Sequence, residues 1–498
     1  MKTRLLFYIT LLCSFAIILG EYFLGYSIFS YDYIPLGWDT AIHMSKAISI
    51  RQDFLTTLLA EDFINILYPL LMSPFAFDRY FLYLYETFIP PIILISLAFV
   101  CSKFEGLQSH LGRTIFYLAF PSWLIVYRFL ADLHPALLGT TLSMLTVNEL
   151  IKSFSQGELV KHKTKIMMLI TLSSMAHIET ADFFLLSLVA ALILIGQKKL
   201  FLKNFQLFLP LIIMNLLYIY HLSKLWALAA EGDIQEVFLL NIIGLFFAMA
   251  TLVIFYHFLK KKSLSCLRIE YAWLLAMGLL MSLIFFMSVR FVRFYPYLER
   301  AILTFPLPLM VGMITEKLVV KKLSRKIGIA ILFITIALLL SGVIAADYSK
   351  IHLKTWIAKE SYYSIIKAKS YNQSARVIFL FYDEDKYAGG LATLYDSWIT
   401  ILYGKHYSYL GTLQNLIEGK ETKFQTIFSK EISKKFYLNL LENSIIEKIR
   451  RCDENINIVI IRSFYKSSNE FNCDVSEGEL CLNKLPNICH QYMNKSMD

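Results

Sequence analysis

Long apolar runs recur along most of this chain and constrain its fold more than any other feature. A helix needs about 20 mostly apolar residues to cross a bilayer, and about eleven runs approach or reach that length. They lie near 5–24, 82–101, 113–128, 133–151, 166–181, 183–197, 205–222, 237–258, 270–289, 300–316 and 327–346. Of the 498 residues 57% are hydrophobic and 17% charged, whereas a soluble protein carries about 25% charged residues. We therefore predict an α-helical polytopic membrane protein.

The positions of the basic residues predict the orientation of these spans. If Lys2 and Arg4 are cytoplasmic and the loops then alternate, the inner loops hold twenty Lys and Arg residues and the outer loops hold eight. Inner loops of membrane proteins carry such an excess. The net charge of +10 therefore reflects the topology and not binding to nucleic acid. A plasma membrane is the expected location, and membrane lipids are the expected partners. The N-terminus is expected in the cytoplasm.

An odd number of spans divides the chain into two parts. Residues 1–347 form the transmembrane domain, whose first outer loop, 31–80, alternates apolar and polar residues at helical spacing and is expected to form interfacial helices. Residues 348–498 form an extracytoplasmic domain, large enough to fold by itself.

The tail has the pattern of a small α/β domain. Its apolar stretches 375–382 and 455–465 are typical of buried strands, and 422–451 of a helix. Four cysteines crowd into its end, an even number in an oxidising compartment, which predicts two disulfides. A zinc site is the alternative. These cysteines are Cys452, Cys473, Cys481 and Cys489.

Acidic, histidine and arginine residues concentrate in the outer connections. Charged groups at a membrane are costly and are candidates for function. Three connections carry acids with histidines and a fourth carries arginines. In chain order the candidates are Asp39 and His43; Asp132 and His134; His177 and Glu179; and Arg290, Arg293, Tyr295 and Arg300.

These residue types suit transfer of a sugar from a lipid phosphate. A carboxylate can deprotonate or orient the acceptor, and arginines can hold the phosphate of the leaving group with two hydrogen bonds. The donor of such a reaction lies at the boundary of lipid and water, where these loops lie.

The arrangement resembles the GT-C superfamily of multi-pass glycosyltransferases, which includes the oligosaccharyltransferases and protein mannosyltransferases. "GWDTAIH" (37–43) stands where that superfamily has an acidic residue after the first span, and Asp132-Leu133-His134 stands at its second acidic motif. No W-W-D-Y-G motif is present, and "LYDSWITILYGKHYSYLG" (394–411) is at most a faint echo of it. The subfamily therefore stays open.

The resemblance implies a transferase that uses a polyprenyl-phosphate-linked sugar and an acceptor on the outer face. Asp39, His43 and Asp132 would be catalytic, and the donor phosphate would bind Arg290, Arg293, Arg300 and Tyr295. A divalent metal such as Mn²⁺ or Mg²⁺, with Zn²⁺ also suited to carboxylate and imidazole ligands, would be held by Asp39, Asp132, His134, His177 and Glu179.

Structural roles compete with each of these assignments. Asp39 is a good helix N-cap, Asp132 and His134 could form a cap and turn before Pro135, His177 and Glu179 could satisfy backbone groups at a turn, and the arginines could extend to lipid headgroups. A non-catalytic protein that binds or presents a glycolipid or cell-surface polymer is the second hypothesis for the function. A transporter is the third.

Overall fold

The computed structural model describes most of the chain up to residue 225 and selected segments beyond it. The described residues are 2–37, 39–52, 54, 65–122, 125–157, 159–225, 268–290, 306–319, 355, 357, 359–368, 376–381, 397–402, 407–410, 423–425, 431–433, 451–452, 456–461, 475–477 and 480–484.

Helices dominate the described part of the chain. In chain order they are α1 (Lys2–Phe29), α2 (Thr40–Gln52), α3 (Leu67–Met72), α4 (Arg79–Ser102), α5 (His110–Ala119), α6 (Ile125–Ala131), α7 (His134–Gln156), α8 (Leu159–Leu194), α9 (Lys198–Lys203), α10 (Leu209–Leu225), α11 (Ile269–Arg290), α12 (Leu307–Val319) and α13 (Lys359–Ala368). Short 3₁₀ helices lie at Ser73–Phe75, Phe120–Ser122 and Phe205–Phe208.

Four of the described helices are long and apolar enough to cross a membrane. Their apolar parts are Leu5–Phe29, Arg79–Ser102, Lys161–Leu194 and Ile269–Met287. They agree with a membrane protein of several spans. The predicted spans at 237–258 and 327–346 lie outside the described residues, as does part of the one at 300–316, so the total of eleven stays a prediction.

Two predicted spans differ from simple helices. The run at 113–128 is divided between α5, the 3₁₀ helix Phe120–Ser122 and α6, because Pro121 lacks the N–H that a continuous helix needs. The runs at 166–181 and 183–197 belong to the single stretch α8, which is interrupted at His177, where the backbone has φ −164° and ψ 99°. In place of the predicted turn between those two runs, the structure has a kink at the single non-helical residue His177.

The described parts of the predicted first outer loop (31–80) fold onto the bundle. Residues of α2 and α3, among them Ala41, Met44 and Tyr68, are buried in a hydrophobic cluster that also contains Tyr362 and Trp398 of the tail. The Tyr31 hydroxyl donates a hydrogen bond of 2.9 Å to the Ile357 carbonyl. The first loop and the start of the tail thus share one apolar core.

The described tail contains strands as well as helix. They are β1 (Arg376–Phe381), β2 (Tyr407–Leu410), β3 (Lys423–Gln425), β4 (Glu431–Ser433), β5 (Ile456–Ile461), β6 (Val475–Glu477) and β7 (Leu480–Lys484). Five of them form a sheet of order β2-β1-β5-β7-β6, in which β1 is parallel to β2 and β5, and β7 is antiparallel to β5 and β6.

Two predicted strands agree with β1 and β5, whereas the helix predicted at 422–451 is wrong where it is described. Residues 423–425 and 431–433 pair as antiparallel strands with Phe424 opposite Ile432, so local pairing outweighs the helical pattern there. Residues 434–450 lie outside the described part. Cys452 and Cys481 each take part in a disulfide bond. Because Cys473 and Cys489 are not among the described residues, the number of disulfides and their pairing stay predictions.

Candidate functional site

Gly37 brings the first outer loop against the turn between α6 and α7. Its φ is +101°, and a Cβ atom built on it would lie 1.6 Å from the carbonyl oxygen of Ala131. No other residue type combines that backbone conformation with so close an approach. The glycine therefore fixes the start of α2 next to Asp132.

Asp39 and His43 stand at the start of α2. Asp39 directly precedes Thr40, in the N-cap position, and its carbonyl accepts a hydrogen bond of 2.9 Å from the His43 N–H. This backbone bond confirms the helical spacing predicted for the pair. Asp39 is half-buried, and His43 is buried with 7% of its surface exposed.

Glu86 of α4 lies at the centre of the site, with none of its surface exposed. Its Oε2 accepts a hydrogen bond of 3.0 Å from the Tyr68 hydroxyl and lies 2.6 Å from Nδ1 of His134. Its Oε1 lies 3.6 Å from Nδ1 of His43. Two histidines from different loops therefore flank one buried carboxylate.

Aromatic rings and a tyrosine hydroxyl hold this carboxylate in place. The rings of His43, Tyr68 and His134 have centroids 5.4–5.6 Å apart, pair by pair. The Tyr22 hydroxyl of α1 lies within hydrogen-bonding distance of the Glu86 and Thr87 carbonyl oxygens, at 3.2 and 3.0 Å. Helices α1 and α7 and the two helices of the first loop, α2 and α3, thus surround Glu86.

Asp132 lies beside this group in the turn before α7, with 4% of its surface exposed. Burial raises the pKa of its carboxyl, Arg128 opposes the shift and the nearby carboxylate of Asp39 adds to it, and together these effects bring the pKa to about 7. Nε of Arg128 is 4.0 Å from an Asp132 carboxylate oxygen. Burial likewise lowers the pKa of His43, against the effect of Glu86.

The predicted residues His177 and Glu179 form a separate set of contacts on α8. Nδ1 of His177 lies 2.8 Å from the Thr180 hydroxyl, and its Nε2 lies 4.0 Å from Glu179. Glu179 also accepts a hydrogen bond from Tyr218. The interruption of α8 at His177 explains why polar groups gather here, and of the five predicted metal ligands only His134 belongs to the Glu86 group.

The predicted phosphate-binding residues lie at the edge of the described part of the chain or outside it. Arg290 is the last residue of α11, with a side chain outside the described part, and Arg293, Tyr295 and Arg300 are not described. Their assignment stays a prediction. The arginine that approaches Asp132 in the described structure is Arg128.

Glu86 and Tyr68 were not predicted from the sequence. One signal was available for Glu86, because it is the only acidic residue of the apolar helix Arg79–Ser102, and an acid inside a span is a functional candidate. Tyr68 carries no such signal, since tyrosines are abundant in this chain.

Comparison with known proteins adds no assignment. No family model matches the chain, and no curated protein matches it at a significant level. The chemistry of the site therefore depends on its own geometry, which offers a carboxyl group with a pKa near neutrality beside a second carboxylate and two histidines.

Proposed function

We propose that this chain is a membrane glycosyltransferase that moves a sugar from a polyprenyl-phosphate donor to an acceptor at the outer face of the membrane. The observation that carries the proposal is that side chains from three separate parts of the chain converge. Asp39 and His43 come from the first outer loop, Glu86 from α4, and Asp132 and His134 from the turn before α7. Carboxylates and imidazoles thus meet at the end of a span.

In the proposed reaction Asp39 accepts the proton of the acceptor hydroxyl or amide. The acceptor atom forms a bond to the anomeric carbon, the bond from that carbon to the phosphate oxygen breaks, and polyprenyl phosphate leaves with the electron pair. Asp132 supports the base, because near neutral pH its buried carboxyl retains a proton that can form a hydrogen bond with the carboxylate of Asp39. Arg290, Arg293, Arg300 and Tyr295 remain the proposed phosphate ligands.

The proposed location is the plasma membrane, with a cytoplasmic N-terminus and an outer tail domain. Contacts between the first loop and the tail support a location of both on the same side of the membrane. The Arg79 side chain donates to the Tyr362 hydroxyl and lies 3.5 Å from Asp32. The predicted inner loop at 103–113 instead contacts α12, where Glu316 accepts from the N–H groups of Gln108 and Ser109 at 3.0 Å.

The test separates a catalytic Asp39 from a helix cap. Asparagine caps helices as well as aspartate but has no charge, so Asp39→Asn should lower transfer about 100- to 10,000-fold if Asp39 is the base. The measurement is release of polyprenyl phosphate from a panel of polyprenyl-phosphate hexoses by the purified protein in lipid nanodiscs.

A matched control is Asp78→Asn. Asp78 is an exposed N-cap whose side chain accepts from the Tyr80 N–H at 2.7 Å, so its substitution should leave transfer unchanged. Full activity of Asp39→Asn would return Asp39 to the role of a cap. If the wild-type protein releases no polyprenyl phosphate from any donor, glycosyl transfer itself is wrong.

A transporter is the second candidate, and one observation favours it. Glu86 is fully buried in a span and is flanked by two histidines, an arrangement that also occurs in proton relays. A transporter would couple solute uptake into proteoliposomes to a proton gradient, and Glu86→Gln would abolish that uptake.

A further inference from the structure

Among the described residues, one group brings three possible metal ligands together. One ligand atom each from His43, Glu86 and His134 lies within 4.8 Å of the other two, and all three residues are buried. The residues come from α2, α4 and α7, so no short sequence motif contains them.

Hydrogen bonding fixes which nitrogen of His134 is available. Its Nε2 lies 3.1 Å from the carbonyl oxygen of Leu130, which can only accept, so Nε2 carries a proton. In a neutral ring Nδ1 then has a lone pair, and this lone pair is only 2.6 Å from Oε2 of Glu86. Two electron-rich atoms that close need either a proton or a metal ion between them.

Three buried atoms of this group also lack a hydrogen-bond partner of acceptable geometry in the described structure. They are Nδ1 of His43, Nδ1 of His134 and Oε1 of Glu86. Buried polar atoms are nearly always satisfied in native proteins, and a bound ion is one of the recognised explanations for an exception. All three atoms belong to the residues that converge on one point.

We propose that His43, Glu86 and His134 bind a zinc-type divalent transition-metal ion through two imidazole nitrogens and one carboxylate oxygen. Two histidines with one glutamate are a known ligand set of zinc sites that keep a fourth position open. Imidazole ligands disfavour Mg²⁺, which takes oxygen ligands and water. The site shares only His134 with the metal site expected from the sequence, and its ligands favour Zn²⁺ over Mg²⁺.

The observed spacing suits this ion after a small adjustment. Bonds of about 2.0–2.1 Å in tetrahedral geometry place ligand atoms about 3.4 Å apart. Nδ1 of His43 lies 3.6 Å from Oε1 of Glu86, close to that value, whereas Nδ1 of His134 lies 2.6 Å from the other oxygen, Oε2, and this second distance must lengthen. A rotation of the Glu86 carboxylate about its last bond changes both distances.

Groups behind the ligands complete the site. Leu130 orients His134 through Nε2, and the Tyr68 hydroxyl binds Oε2 of Glu86. Hydrogen bonds of this kind set ligand orientation in metal sites, and their loss typically lowers metal affinity about 10- to 100-fold. The inference does not depend on glycosyl transfer, because metal binding is measured without any donor.

The experiment measures zinc binding to the full chain in lipid nanodiscs after chelation with EDTA and alkylation of free thiols. We expect about one equivalent of Zn²⁺ by elemental analysis, and no comparable uptake of Mg²⁺. Glu86→Gln should weaken zinc binding more than about 100-fold, and Tyr68→Phe about 10-fold. With its nitrogen in the place of Oε2, the glutamine amide can donate one N–H to Nδ1 of His134 and the other to the Tyr68 hydroxyl oxygen, so this variant keeps hydrogen bonds to both neighbours.

The matched control is His110→Gln, an exposed histidine of α5, which should bind zinc like the wild type. Zinc should also raise the unfolding temperature of the wild type and not that of Glu86→Gln. Cobalt should bind in the same place without the charge-transfer band that cysteine thiolates produce. If the chelated wild type takes up no zinc and shows no thermal shift, the three residues form only an imidazolium–carboxylate pair. Equal zinc binding by Glu86→Gln would place the ion elsewhere, and either result overturns the proposal.

Discussion

At the residue scale, Glu86 and Asp132 show two ways of burying a carboxyl group. Glu86 is surrounded by the Tyr68 hydroxyl and two imidazoles, so its charge has partners at close range. Asp132 has Arg128 at 4.0 Å and the carboxylate of Asp39 nearby, and a proton is the remaining way to lower the cost of its burial. This difference makes Asp132 the group that titrates near neutral pH.

The raised pKa of Asp132 predicts a pH-dependent loss of stability. The unfolded carboxyl has a pKa of about 3.9, whereas in the folded protein it is about 7, so between these values the folded state holds the extra proton. The free energy of unfolding should therefore fall as the pH rises from about 4 to about 7, by an amount on the order of a few kcal/mol, and stay level above. Thermal unfolding of the chelated, metal-free protein against pH measures it.

Asp132→Asn isolates this effect. His43, whose pKa is lowered by burial, contributes with the opposite sign in both proteins, so the difference between them reports the Asp132 carboxyl together with its interaction with His43. The variant should lack the decline that the wild type shows between pH 4 and 7. Parallel curves for the two proteins would show that Asp132 does not hold this proton.

At the element scale, the contact between the first loop and the α6–α7 turn decides whether the site forms. Gly37 touches the Ala131 carbonyl, and the helix that follows it carries His43 to Glu86. The segment from Gly37 to His43 is thus held at both ends, by the contact of Gly37 with the turn and by the contact of His43 with Glu86.

Gly37→Ala should therefore separate the loop from the turn. The added methyl would lie 1.6 Å from the Ala131 carbonyl oxygen at a φ of +101°, and overpacking with backbone strain costs more than about 2 kcal/mol. We expect a lower unfolding temperature and weaker zinc binding together. Gly20→Ala is the control, because a Cβ there meets nothing within 4 Å; equal effects of both substitutions would contradict the role of Gly37.

At the scale of the whole molecule, the tail is joined to the first outer loop. The rings of Tyr362 and Trp398 pack in the same cluster as Met44 and Tyr68. A tail domain on the opposite side of the membrane is incompatible with these contacts. The proposed outer location of the tail therefore follows from the proposed outer location of the loop.

Cysteine labelling tests this topology in intact cells. Tyr363 of α13 is 40% exposed, and Tyr363→Cys should react with a membrane-impermeant maleimide without permeabilisation. Gln108→Cys, at an exposed position of the predicted inner loop, should react only after permeabilisation. The reverse pattern would invert the whole orientation.

The sequence by itself determined the membrane class, because the thickness of a bilayer sets the length of an apolar run whatever its neighbours are. It also predicted His43, Asp132 and His134 as site candidates, because charged and histidine residues at a membrane edge are costly. Only the tertiary structure placed Glu86 between two histidines and Tyr68 against its carboxylate. That arrangement depends on the packing of α2, α3, α4 and α7, which lie far apart along the chain, and on the close approach that Gly37 permits; neither has a local sequence pattern.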